Sequence, residues 1–215
     1  MDTRIDTQLA LERLQAPGTP VCNLCGGTEF GPGPGGRLGK DQLGPHCIAC
    51  GSLERHRVSA GALQATHKGD LDWRRALLLG SEYGADPRWF ASCATLPSAA
   101  AGSLPAALSG YGAGSVDFIG MIHLFEYLDN DRSGFAQLLR LLSPRGLLQV
   151  CFADPRARPW TAIQAGPAGS VRRWYGRDLE RHFRCPGRRV GVTMHEAADP
   201  GTGAVLPVHF FHHQP

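Results

Sequence analysis

The sequence predicts an α/β protein: a doubly wound, mainly parallel sheet preceded by a small cysteine-bearing ribbon. Three observations carry that expectation. From residue 76 onward, short apolar runs that read as buried strands alternate with helical patterns. Two Cys-x-x-Cys pairs, Cys22/Cys25 and Cys47/Cys50, lie in a glycine- and proline-rich stretch near the start. The 215 residues, 42% hydrophobic and 19% charged, suffice for one medium domain with an appendage.

In chain order, Ile5, Leu9 and Leu14 fall on one face of a short amphipathic helix that "APG" ends. Residues 18–51 are loop around the four cysteines. "SLERHRVSAGALQATHK" reads as a helix with Ser52 as its N-cap and Glu54 and Arg55 in its first turn. "ALLLG" is a short, fully apolar strand, and "RWFAS" a weaker one. "SVDFIGMIHLF" is a third, opened by Asp117 after a glycine-rich turn. "NDRSGFAQLLRLLS" is an amphipathic helix stopped by "PRG", and "GLLQVCFAD" another buried strand. "WYGRDLERHFR" reads as a helix. "RRVGVTMHEA" and "VLPVHFFHH" are adjacent late strands, which fit an antiparallel edge. The expected division is 1–58 for the N-terminal helix and ribbon and 59–215 for the α/β domain.

The paired thiols point to zinc. A two-residue gap lets one tight knuckle present two thiolates about 2.3 Å from a metal, and two knuckles complete a tetrahedron. Gly26 and Gly51 follow the knuckles directly, where the backbone must turn sharply. Cys22, Cys25, Cys47 and Cys50 would close the coordination sphere, so the Zn2+ is expected to be structural. His46 is expected beside the cluster rather than in it. Cys93, Cys151 and Cys185 carry no signature of activation.

Composition narrows the function classes. The net charge of +3 is mild, without the basic stripe and interleaved aromatics of a nucleic-acid binder. No apolar run reaches the roughly 18 residues that span a bilayer, and the polar start "MDTRIDTQLALERLQ" has no secretory h-region. A cytoplasmic protein, with no membrane association, is the expectation.

"SVDFIGMIHLFEYLDNDRSGFAQLLRLLSPRGLLQV" resembles the strand, helix and strand in the second half of class I S-adenosylmethionine (SAM)-dependent methyltransferases. Asp117, His123, Glu126 and the "LLSPRG" turn stand at the places of that family's strand-opening acid, H-x-x-E-type turn and L-x-P-G-G-like turn. With "CIACGSLERHR" and "WYGRDL", the chain resembles a bacterial subgroup carrying an N-terminal zinc ribbon. The resemblance implies a Rossmann-like methyltransferase fold and a cofactor loop at "LGSEYGAD", with Gly80, Glu82, Gly84 and Asp117 as candidate cofactor-binding residues. His123, Glu126 and Tyr175 are the candidate catalytic residues. The sequence departs from the family at two places. The loop lacks G-x-G-x-G spacing, and "RWFASCATL" puts Ser92 and Cys93 where a ribose-gripping acid is expected. Glu82 or Asp86 would have to substitute.

Asp117 is read against a turn-forming role, His123 against a satisfied core histidine, and the Trp174–Tyr175 face, flanked by Arg177 and Asp178, against plain core packing. Arg55 and His56 are expected to brace the ribbon. The function expected is a SAM-dependent methyltransferase-like enzyme acting on a small or carrier-bound biosynthetic metabolite. The alternatives are a protein of the same fold that no longer uses SAM and catalyses intramolecular displacement, cyclisation or elimination, or a non-catalytic protein that works with a protein partner.

Overall fold

The computed structural model describes residues 19–80, 84–96, 104–165, 171–185, 187 and 189–214. The expected N-terminal helix over residues 5–14 lies outside them. Two short strands, β1 (Phe30–Gly31) and β2 (His46–Cys47), pair antiparallel and carry the second knuckle. Helix α1 (Glu54–His67) follows. Its N-cap is Leu53, one residue beyond the expected Ser52: the Leu53 N–H donates to His56 Nδ1 at 2.8 Å, so His56 caps the helix.

Strands β3 (Arg75–Leu79), β4 (Ser92–Leu96), β5 (Val116–Ile122) and β6 (Leu142–Cys151) run parallel. A four-residue helix α2 (Leu104–Ala107) precedes β5, and α3 (Asp131–Leu141) joins β5 to β6. A two-stranded hairpin, β7 (Ala162–Ala165) and β8 (Val171–Trp174), follows, and then a single turn of helix, α4 (Leu179–His182). β9 (Val190–Ala198) and β10 (Val205–His213) close the edge as an antiparallel pair, giving the order β4-β3-β5-β6-β10-β9. This is the expected mixed, Rossmann-like sheet.

Sequence alternation builds two cores. Leu77, Ile119, Leu148 and Phe211 bury on one face with Phe135 and Leu138 of α3. Leu78, Phe118, Leu147 and Phe210 bury on the other with Val58 and Leu63 of α1. Adjacent residues serve opposite layers because side chains alternate along a strand.

Three elements differ from expectation. β4 begins at Ser92 rather than near Arg88, because Pro87–Trp89 form a 3-10 turn capped by Asp86, whose carboxylate accepts from the Arg88 N–H at 2.9 Å. The expected helix at 174–184 shrinks to α4, since Trp174 ends β8. The β7–β8 hairpin itself was not foreseen.

One buried ion pair ties the ribbon to the sheet. Arg57 of α1 is fully buried. Its Nε donates to Asp199 Oδ1 at 2.6 Å and its Nη2 to Asp199 Oδ2 at 2.9 Å. The remaining N–H groups reach the Ser52 and Pro45 carbonyls, both at 2.8 Å, and the guanidinium lies 4.9 Å from the Phe30 ring. Asp199, in the β9–β10 turn, also accepts from the Thr202 N–H and hydroxyl. Arg57 therefore ties the cysteine segment at Pro45 and Ser52 to the β9–β10 turn 142 positions away, with its charge paired and its donors used.

Truncating Asp199 to Ala should cost about 3–5 kcal/mol of stability by leaving a buried unpaired cation. Chemical denaturation should also show that Arg57→Met combined with Asp199→Ala costs less than Asp199→Ala alone. A double variant as unstable as the sum of the singles would refute this account.

His209 of β10 sits against Phe152, with ring centroids 5.4 Å apart. Burial lowers its pKa from 6.5 to about 4, outweighing the opposite pull of Asp154. The unfolded chain then binds a proton that the folded state refuses between pH 6.5 and 4, so stability falls as pH drops through that window and levels off below it. The full difference approaches about 3 kcal/mol. His209→Phe should flatten that part of a stability-against-pH curve; an unchanged slope would place its origin elsewhere.

Candidate functional site

The first candidate centre is the cysteine cluster. The ligand atoms of Cys22, Cys25, Cys47 and Cys50 all lie within 4.8 Å of one another. The Cys22–Cys50 and Cys25–Cys47 sulfurs are each 3.7 Å apart. A zinc tetrahedron with sulfurs about 2.3 Å from the metal has edges of about 3.8 Å, so the donor set fits a four-thiolate zinc site. Disulfides, at about 2.05 Å, do not fit these distances. Gly26 and Gly51 adopt φ of +80° and +75°, each donating its N–H to the carbonyl of the first cysteine of its knuckle at 2.8 Å. That left-handed turn is what glycine supplies.

The surroundings suit a charged metal site. Four thiolates and one Zn2+ leave a formal charge of about −2. The Gly27 N–H donates to Cys25 Sγ at 3.4 Å, and Ser52 Oγ lies 3.4 Å from Cys22 Sγ and 3.2 Å from Cys50 Sγ. Arg57 Nη1 approaches that hydroxyl at 3.4 Å, so the serine relays the guanidinium's positive field toward the sulfurs. A cleft of about 420 Å³ separates the knuckles from the loop after β3, lined by Cys25, Cys50, His56, Ala85, Asp86 and Arg88.

The second candidate site follows from strand order. The chain leaves β3 toward β4 on one side, then returns to place β5 and β6 on the other. The crevice outside the carboxyl ends of β3 and β5 is therefore the topological switch point, where open α/β sheets bind ligands. Gly80 ends β3 with φ +92°, a conformation that glycine adopts readily. Glu82, in the loop beyond, lies outside the described residues. Gly84 serves packing: a Cβ there would fall 2.2 Å from Ser59 Cβ of α1.

At the carboxyl end of β5, His123 adopts φ +50°, and its N–H donates to the Cys151 carbonyl at the end of β6. Non-glycine residues enter this left-handed region at a cost, and such outliers gather at functional sites. His123 Nδ1 lies 3.1 Å from Glu126 Oε1, which also accepts from the Ala153 N–H at 2.9 Å. Glu126 is buried and its second oxygen has no partner among the described residues, whereas the His123 side chain is 30% exposed. A histidine whose Nδ1 donates to a carboxylate keeps Nε2 free of a proton in its neutral form, able to accept one.

Two residues singled out from the sequence fall elsewhere. Asp117 stands at the amino end of β5, about 20 Å along the strand from His123. It accepts from Arg75 Nε at 2.8 Å and from the Arg75 N–H at 3.1 Å, and the Arg75 hydrogen bonds hold its pKa near 2. It locks β5 to β3 instead of lining the crevice. Tyr175 is 1% exposed and packs on Phe152 and Phe183. Its hydroxyl donates to Asp131 Oδ2 at 2.8 Å, and burial pushes its pKa well up. That keeps it a neutral core residue.

Sequence reasoning missed the assembly around Asp131. Its Oδ2 also accepts from His182 Nε2 at 2.6 Å and lies 3.3 Å from Arg173 Nε. Burial alone would raise the Asp131 pKa, but the hydrogen bonds from His182 and Tyr175 outweigh it and lower it. Arg173 donates to the Leu128 and Asp129 carbonyls, so the group fixes the 125–131 segment that carries Glu126. The one sequence signal was Asp131 in the first turn of an amphipathic helix, where an acid is favoured.

The cluster should hold one zinc per chain in protein purified without chelator. Elemental analysis below about half an equivalent would refute the assignment. Binding energy at such a site is folding energy, so Cys47→Ser should give insoluble or strongly destabilised protein, not a well-folded one.

Among the described residues, no helix is long and apolar enough to cross a membrane. No protein-family model matches the sequence, and no curated protein matches it. Several solved structures are similar. One is the 1,6-didemethyltoxoflavin-N1-methyltransferase of Burkholderia thailandensis with bound 1,6-didemethyltoxoflavin and S-adenosylhomocysteine. It has 14% identity over 75% of this chain and 79% of that one, at a TM-score of 0.49. A second is the 4+2 cyclase SpnF, with 13% identity over 80% and 89% and a TM-score of 0.48. A third is a complex between the Haloferax volcanii Trm112 methyltransferase activator and a methyltransferase, with 14% identity over 75% and 91% and a TM-score of 0.47.

Proposed function

We propose that the protein is a methyltransferase-like enzyme acting on a small or carrier-bound biosynthetic metabolite, with its reaction site in the crevice at the carboxyl ends of β3 and β5. The observation that carries this reading is the His123–Glu126 pair at the switch point: a left-handed, partly exposed histidine beside a buried carboxylate with one oxygen unpartnered among the described residues. Glu126 orients His123, and His123 Nε2 takes a proton from a substrate nucleophile. The burial of Glu126 keeps water from its carboxylate.

The residues only partly fit SAM. Gly80 supplies the turn that lets backbone approach a bound ligand. The ribose side does not fit, because β4 ends at Leu96 and the sequence has no acid between Asp86 and Asp117. Bound SAM would supply an electrophilic methyl group; no step is derived through it. That mismatch favours, as a second reading, a catalyst of the same fold that runs an intramolecular displacement, cyclisation or elimination without SAM. The zinc in either reading is structural.

Loss of one charge-assisted hydrogen bond weakens binding about ten- to a hundredfold. Calorimetric titration with SAM should therefore give high-micromolar or weaker affinity, or none. A Kd below about ten micromolar that survives Glu82→Ala would overturn this account of the crevice. No binding at millimolar SAM, with turnover retained on some substrate, would decide for the cofactor-free catalyst.

A further inference from the structure

The β7–β8 hairpin stacks cations on aromatic rings at the surface. Trp174 carries two guanidinium groups, with Arg172 Cζ 4.1 Å and Arg158 Cζ 5.1 Å from its ring. Arg172 Cζ also lies 5.5 Å from the ring of Tyr127, itself 46% exposed. Strand alternation explains the arrangement: Arg173 and Tyr175 turn inward to Asp131, which sets Arg172 and Trp174 on the outer face. Among the described residues neither Arg172 nor Arg158 pairs with a carboxylate, unlike Arg57, Arg75, Arg88 and Arg156.

Tyr127 is four residues from His123 and adjacent to Glu126, so its backbone is at most about 14 Å from that of His123. The hairpin is held there by Arg173, through the Leu128 and Asp129 carbonyls. Two cations sharing one indole repel each other, and ring stacking leaves the edges of their guanidinium planes available to oxyanions. A ligand carrying two negative charges on one group relieves that repulsion and can bond both edges.

We propose that Tyr127, Arg172, Trp174 and Arg158 form a binding site for a phosphate monoester on the substrate. The proposal rests on the reading of the adjacent crevice as the reaction site, and it names the substrate class as a phosphorylated small molecule. A carrier-borne phosphodiester shares the chemistry but bears a single charge, so the two sources are separable.

The test uses full-length, zinc-loaded protein and phenyl phosphate as the probe, followed by tryptophan fluorescence or calorimetry. Saturable binding is expected. It should weaken at least about tenfold in Arg172→Met and in Arg158→Met, and Arg172→Lys should not restore it because a single ammonium lacks the planar fork. Arg172 is exposed and Arg158 half-buried, neither with a carboxylate partner among the described residues, so thermal melts of the variants should stay close to the parent. Methyl phenyl phosphate should bind at least about tenfold more weakly than phenyl phosphate. Equal binding of the diester would overturn the monoester assignment, and equal binding of neutral phenol would overturn oxyanion recognition. Unchanged affinity in both arginine variants would remove the ladder from the site, and binding of a single-stranded oligonucleotide without phenyl phosphate binding would replace it with a nucleic-acid surface. The assay needs neither SAM nor turnover, so its outcome is independent of whether His123 and Glu126 are catalytic.

Discussion

The Arg57–Asp199 ion pair is the constraint on which the remaining architecture depends. A guanidinium with no exposed surface is tolerable only when its charge and its donors are matched. Matching them requires the Asp199 carboxylate from the β9–β10 turn and the carbonyls of Pro45 and Ser52 from the cysteine segment. Asp199 lies 142 positions from Arg57, while the two carbonyls belong to the cysteine segment just before α1. The pair therefore specifies one placement of the ribbon on the edge hairpin, since any other leaves a buried charge unpaired. Hydrophobic contact alone, being non-directional, would not select that placement.

The crevice is organised by a comparable logic around Asp131. Its carboxylate gathers Arg173 from β8, Tyr175 just after it and His182 from α4, and Arg173 passes the constraint to the carbonyls of Leu128 and Asp129. The segment between β5 and α3 is thus held from behind, away from the crevice. That support accounts for His123 keeping a left-handed backbone, because strain persists where surrounding contacts over-determine it. The same network sets Arg172 and Trp174 outward, so a buried arginine and an outward cation–ring stack share one strand.

How much was legible follows from which residues do the packing. β3, β5, β6 and β10 were readable because Leu, Ile, Val and Phe fill most of their buried positions and leave apolar runs. β8 was not, because the side chain it buries is Arg173 and the one just beyond it is Tyr175, which in a sequence look like surface and site residues. Arg57 was hidden for the same reason: a helical arginine normally reads as solvated, and its neighbours Arg55 and His56 drew the bracing role instead. β4 slipped because Trp89 and Phe90 form an apolar cue ahead of the strand; Phe90 stacks on Phe118 at 4.9 Å from the turn, outside the ladder. Asp117 misled differently. Its place at a strand entrance matched a family motif, while its partner Arg75 lies 42 positions earlier and leaves no local signal. The cysteine knuckles were legible in full, since two-residue spacing and a following glycine encode the turn directly.

Whether a metal at the cysteines would be the protein's chemistry or its buttress follows from the geometry along the first half of α1. Four thiolates fill a tetrahedron, so zinc there keeps no open position for a substrate. What the site transmits is position. Ser52 lies against two of the sulfurs and takes a bond from Arg57, in the first turn of α1. Two residues later the Ser59 carbonyl accepts from Gln149 of β6 at 2.7 Å, and its side chain lies where only a glycine at position 84 can pass. Position 84 belongs to the loop that leaves β3 for the crevice. A shift of the ribbon would therefore move α1 against that loop, and the loop's conformation would change with it. Zinc bound at the cysteines would therefore act on the crevice mechanically, through a serine, a buried arginine and the first turns of α1.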